Sequence, residues 1–144
     1  MQGPLHQLLT KYSGRVKLVY INAPLSPRST RASEIAECAY LQGKFWEYND
    51  LVFENQPVWG QAEDWRERLL SYGKEVGLDM AALGDCLEKG IARRALTADI
   101  REMEDQAIMF TPTFIMDDGR RFVGSDLEEL QSALEGAVNL RSGR

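Results

Sequence analysis

The residues able to do thiol, metal or acid–base chemistry are few. The chain holds two cysteines and one histidine. Cys38 and Cys86 lie far apart, so they build neither a Cys-x-x-Cys redox motif nor a zinc knuckle. His6 would have to serve alone as the base of any Cys–His or Ser–His–Asp mechanism. It sits near a fraying end, whereas such sites need the base held by an orienting group. Glu102, Glu104 and Asp105 cluster on one amphipathic stretch with no histidine beside them, which reads as a solvated face and not a metal site. Phe45, Trp46, Tyr48, Phe53, Trp59 and Trp65 recur at helical spacing and read as core, not as a cofactor pocket. No catalytic residue, metal or cofactor is expected from the residues themselves.

The elements that would position these side chains follow from period and punctuation. Pro4–Tyr12 repeats Leu5, Leu8, Leu9 and Tyr12 at helical spacing. Val16–Ile21 is apolar and β-rich, which predicts a strand buried on both faces. A loop with Pro24 and Pro27 covers 22–30. Helices are predicted over 31–41, 44–55, 62–76, 80–89 and 91–107, with Pro57 and Gly60 in a connector at 56–61 and Asp79 as an N-cap. Thr113–Met116 and Arg120–Val123 form a hairpin around Asp118-Gly119. A last helix covers 127–139, and 141–144 is a loose tail.

Length and composition set the frame. At 144 residues the chain suits one domain able to bury a real core. Its net charge of −5 argues against nucleic acid, and Arg93-Arg94 and Arg120-Arg121, ringed by acids, read as solvated surface. No apolar run approaches the roughly 20 residues of a membrane span. No signal peptide opens the sequence, so the chain taken as it stands is expected in the cytoplasm.

Three stretches resemble the DsbA-like thiol-disulfide oxidoreductases of the thioredoxin superfamily. They are RVKLVYINAPL (15–25), ASEIAECAYLQGKFWEYNDLVFENQ (32–56) and FTPTFIMDDGRRFVGS (110–125). The resemblance implies an α/β thioredoxin-like fold with residues 31–107 as an inserted helical subdomain within a single domain, 1–144. It implies a cis bond before Pro112, with Thr111 and Pro112 binding an extended peptide or unfolded protein by strand addition. It places the family's central strand and Cys-x-x-Cys upstream of this sequence, so the chain reads as N-terminally truncated and redox-inactive as given. It also leaves Cys38 and Cys86 either as two buried free thiols or as a structural disulfide between subdomain helices. The family is usually periplasmic or otherwise extracytoplasmic.

Two alternatives stand beside it: a non-catalytic peptide-binding module, and the glutathione-transferase relatives with a DsbA-like layout. Without the central strand, the strand at 16–21 and the hairpin strand would each present an open edge. A homo-oligomer, or a displaced strand, is the expected consequence.

Overall fold

A computed structural model describes residues 2–142; Met1, Gly143 and Arg144 lie outside the described residues. The chain divides into two compact units, one of residues 1–20 with 106–144 and one of residues 21–105.

The larger unit is helical. Its elements are α2 (Pro27–Leu41), α3 (Phe45–Glu54), α4 (Gln56–Trp59), α5 (Trp65–Glu75), α6 (Met80–Glu88) and α7 (Ile91–Asp105). The helix α2 forms its centre, and Ile35, Cys38 and Ala39 are almost wholly buried against α3, α5, α6 and α7. It starts four residues earlier than the sequence predicts. Ser26 is the N-cap and its hydroxyl accepts from the Ser29 N–H, while the Ser29 hydroxyl satisfies the Ser26 N–H. Pro27 occupies the first turn, where its missing N–H costs nothing. At α6 the predicted cap is present: the Asp79 carboxylate accepts from the N–H groups of Ala81 and Ala82.

The smaller unit joins α1 (Gln2–Lys11), the strands β1 (Thr113–Ile115) and β2 (Arg121–Val123), and α8 (Glu128–Ser142). The last helix thus reaches Ser142, past the predicted end at 139, and takes in part of the predicted tail. The strands pair antiparallel, Phe114 opposite Phe122. Phe114, Met116 and Phe122 turn inward onto Leu8, Tyr12, Leu130 and Val138. Gly119, at φ +85°, makes the turn between the strands.

The strand predicted at Val16–Ile21 is overturned. Among the described residues the sheet has two strands, β1 and β2, and the segment joins no ladder. It is not buried on both faces either: exposure alternates along it, with Val19 at 66% and Ile21 at 42%. A period of two is the mark of a half-buried extended segment. Its β-rich composition is satisfied locally, but composition cannot supply a partner. The segment did not move to pair with β1.

Candidate functional site

Cys38, in α2, and Cys86, in α6, are bonded to each other with Cα atoms 6.0 Å apart, within the 4.4–6.8 Å that a disulfide requires. Cys38 is 1% exposed and Cys86 6%. Of the two readings open in the sequence, the structural disulfide is the one realised. As these are the chain's two cysteines, none of its 144 residues offers a free thiol.

The second set of residues singled out in the sequence lies on the hairpin. The Thr111–Pro112 bond is cis, Thr111 is exposed and Pro112 is half-buried. The ladder fixes what the neighbouring backbone does. The Pro112 carbonyl accepts from the Gly124 N–H, and the Met116 N–H donates to the Arg120 carbonyl. In an antiparallel pair, alternate residues face the partner. Pro112, Phe114 and Met116 therefore turn their backbone groups to β2, and Thr113 and Ile115 turn theirs to the opposite, open edge. Exposed apolar side chains come just before β1 in sequence, Met109 at 78% and Phe110 at 69%, and Ile115 and Val123 are exposed on the hairpin's outer face. The chain just before them is tied down, since the Arg121 guanidinium donates to the Gln106 carbonyl and side-chain oxygen, and the Thr113 hydroxyl donates to the Phe110 carbonyl.

The aromatic residues divide. Tyr48, Trp59 and Trp65 are core, with the Tyr48 hydroxyl donating to the Leu69 carbonyl and the Trp59 indole to the Val52 carbonyl. Burial pushes the Tyr48 hydroxyl pKa up strongly. Phe45 and Phe53 are half-buried, and Trp46 is exposed. Glu102, Glu104 and Asp105 are exposed, and among the described residues no group of His, Cys, Asp and Glu could hold a metal. Arg93, Arg94, Arg120 and Arg121 are also exposed.

One polar cluster escaped the sequence reading. Asn22, 3% exposed, donates through its side-chain amide to Glu37 at 2.7 Å and to Asp99 at 2.8 Å, and through its backbone N–H to Asp99 at 2.9 Å. Burial first, and the Asp99 charge second, raise the Glu37 carboxyl above its usual value, against the pull of the Asn22 amide. The cluster fastens the start of the helical unit to α2 and α7.

The decisive comparison is with known families: the thioredoxin family model matches residues 1–136. The chain belongs to the thioredoxin family. Among curated proteins it is similar to the Na(+)/H(+) antiporter NhaA 3 of Salinispora tropica, with 30% identity over 137 residues. It is equally similar to the NhaA 1 antiporter of Salinispora arenicola, and 28% identical over 134 residues to NhaA of Herminiimonas arsenicoxydans. These alignments cover 92% of this chain but only about a fifth of each antiporter (20%, 20% and 21%). No solved structure matches. No helix among the described residues is long and apolar enough to cross a membrane.

Proposed function

We propose that this thioredoxin-family chain is of the DsbA-like kind and supplies the polypeptide-holding body of a thiol-disulfide oxidoreductase, without a redox couple of its own. In this reading the helical unit, residues 21–105, is the inserted subdomain. The observation that carries the proposal is the open edge of β1. Thr113 and Ile115 offer two N–H and two C=O groups to an incoming strand. Met109 and Phe110, just before β1 in sequence, and Ile115, on it, offer exposed apolar surface. Main-chain pairing supplies affinity that tolerates many sequences, and the apolar flank favours unfolded over folded polypeptide.

The chemistry open to these 144 residues supports the second half of the proposal. Exchange requires an accessible thiolate, and the two cysteines are buried and bonded to each other. That bond also favours an oxidising surrounding over a reducing cytosol. Ion transport is not carried over from the antiporters, whose names describe proteins about five times the aligned length. For this chain we take from them only that a thioredoxin-type segment of this kind occurs within larger proteins.

Two measurements on the purified chain test the reading. Backbone amide exchange in the presence of an unfolded, cysteine-free polypeptide should slow at Thr113 and Ile115. In parallel, a disulfide-bonded model substrate should be turned over no faster than by buffer. Absence of protection at β1 refutes the holding role; turnover that vanishes in the Cys38→Ala, Cys86→Ala double variant refutes the redox assignment.

A further inference from the structure

Two clefts of different character lie on the helical unit and share one lining side chain, Arg31. The first, of about 370 Å³, lies among α2, α5 and α7 and is lined by Thr30, Arg31, Glu34, Trp65, Arg66 and Arg93. The second, of about 460 Å³, lies beside α6 and is lined by Leu70, Met80, Leu83 and Leu87, with Arg31 at its edge.

The first cleft is cationic on a chain whose net charge is −5. It holds three arginines and one acid. That acid is fully engaged: Glu34 takes Arg31 on one oxygen at 3.0 Å and Arg93 on the other at 3.2 Å. Arg66 makes no ion pair among the described residues and stacks on the Trp65 ring at 4.2 Å. Arg28 covers the same ring at 5.5 Å while donating to the Gly60 and Ala62 carbonyls. Trp65, 7% exposed, thus serves as a platform for guanidinium groups. Arginine forks held this way suit a phosphate or carboxylate head.

The second cleft is lined mainly by apolar side chains. Gly84 lies on its lining, and a Cβ built on Gly84 would meet nothing within 4 Å, so a larger side chain can be placed there. Glu88 lies on its lining and would repel an anionic group. The charged end of a ligand is therefore directed past Arg31 to the arginine cleft.

We propose that the two clefts form one site for an anionic amphiphile: a phosphate head held by Arg66 and Arg93, and a single alkyl chain along Leu70, Met80 and Leu87. The site is independent of the β1 edge and of any thiol chemistry. Neither cleft alone selects this class. The arginines would take any small anion, and the leucines any alkyl group.

Calorimetric titration of the full 144-residue chain with dodecyl phosphate, held below micelle formation, tests the proposal. Inorganic phosphate is the head-only probe and dodecanol the tail-only probe. Dodecyl phosphate should bind at one site and at least tenfold tighter than either. Arg66→Gln with Arg93→Gln should weaken it about tenfold or more, the scale of losing charge-assisted hydrogen bonds. Gly84→Leu fills the apolar cleft, whose lining includes neither Arg66 nor Arg93, so it should weaken dodecyl phosphate and leave inorganic phosphate unchanged. Melting curves of both variants establish that they fold. Equal affinity for inorganic phosphate overturns the proposal, as does dodecyl phosphate binding that ignores both variants. Binding to phosphatidic-acid vesicles without binding to the monomeric probe also overturns it, in favour of a membrane surface.

Discussion

Single residues in this chain are legible where their partners are near in sequence and silent where they are not. Asp79 caps a helix two and three residues on, and its type alone announces it. Asn22 does comparable work through residues 15 and 77 positions away, and no spacing rule marks it. Its neighbour Glu37 yields a prediction with a definite sign. Burial and Asp99 raise its pKa in the folded chain above the ordinary 4.5. Above the folded pKa both states are ionised and the folded state bears the full penalty. As pH falls through the folded pKa, the folded chain binds the proton first and stability rises, levelling off below the ordinary value. Glu37→Gln keeps an acceptor for the Asn22 amide and removes the charge. It should stabilise the chain at pH 7, by under about 1 kcal/mol for a partly exposed group, and have no effect near pH 4. Parallel melts of parent and variant at both pH values measure this; a variant less stable at pH 7 would show that the carboxylate is favourable.

Elements show the same division. The hairpin is readable because Asp118-Gly119 sits between two short segments that end or begin a strand, Thr113–Met116 and Arg120–Val123, and the turn demands a positive φ at glycine. The start of α2 is hidden in the sequence because Pro24 and Pro27 together have the look of loop punctuation. Pro27 is a first-turn proline behind a serine cap, and the capping box uses Ser29 where Glu or Gln is the familiar signal. The disulfide operates at this scale, tying α2 to α6 across 48 residues of sequence. The residue types allowed two outcomes for these cysteines, and only the packing of the two helices decides between them. Closing a loop of 48 residues in the unfolded chain is worth about 4 kcal/mol by the chain-entropy account. The Cys38→Ala, Cys86→Ala variant should therefore melt roughly 10 °C or more below the parent. The helical content before melting should be unchanged, since α2 is held by apolar contacts on several sides. An unaltered melting temperature would mean that the unfolded chain is already compact between the two positions.

For the whole molecule, the resemblance carried by residues 15–25, 32–56 and 110–125 implied a thioredoxin-type layout, and the family match over residues 1–136 agrees. The sheet could not be inferred the same way, because pairing depends on what lies alongside and not on the strand's own residues. Val16–Ile21 has the composition of a strand, the period of an extended segment and no ladder among the described residues. Together with the free edge of β1, this leaves apolar, extended backbone at the surface, with Val19 at 66% and Ile115 at 42% exposure. Edges of this kind template pairing between chains unless a charge or a proline blocks them. The extended segment at 16–21 carries one charge, the exposed Lys17, but β1 carries none, and Pro112 precedes β1 and so leaves the Thr113 and Ile115 donors in place. The 144-residue chain, isolated in solution, should therefore self-associate as its concentration rises. Light scattering from micromolar to millimolar chain should record the growth in mass. Adding an unfolded, cysteine-free polypeptide should reverse it, because both ligands compete for the same edge of β1. Ile115→Lys places a charge on β1, and Val19→Lys adds a second charge to the segment that already carries Lys17; neither removes a core side chain, and together they should hold the chain monomeric. A parent chain that stays monomeric to millimolar concentration with a cooperative melt would contradict the prediction, and would mean that the open edge of β1 is too short to recruit a second chain.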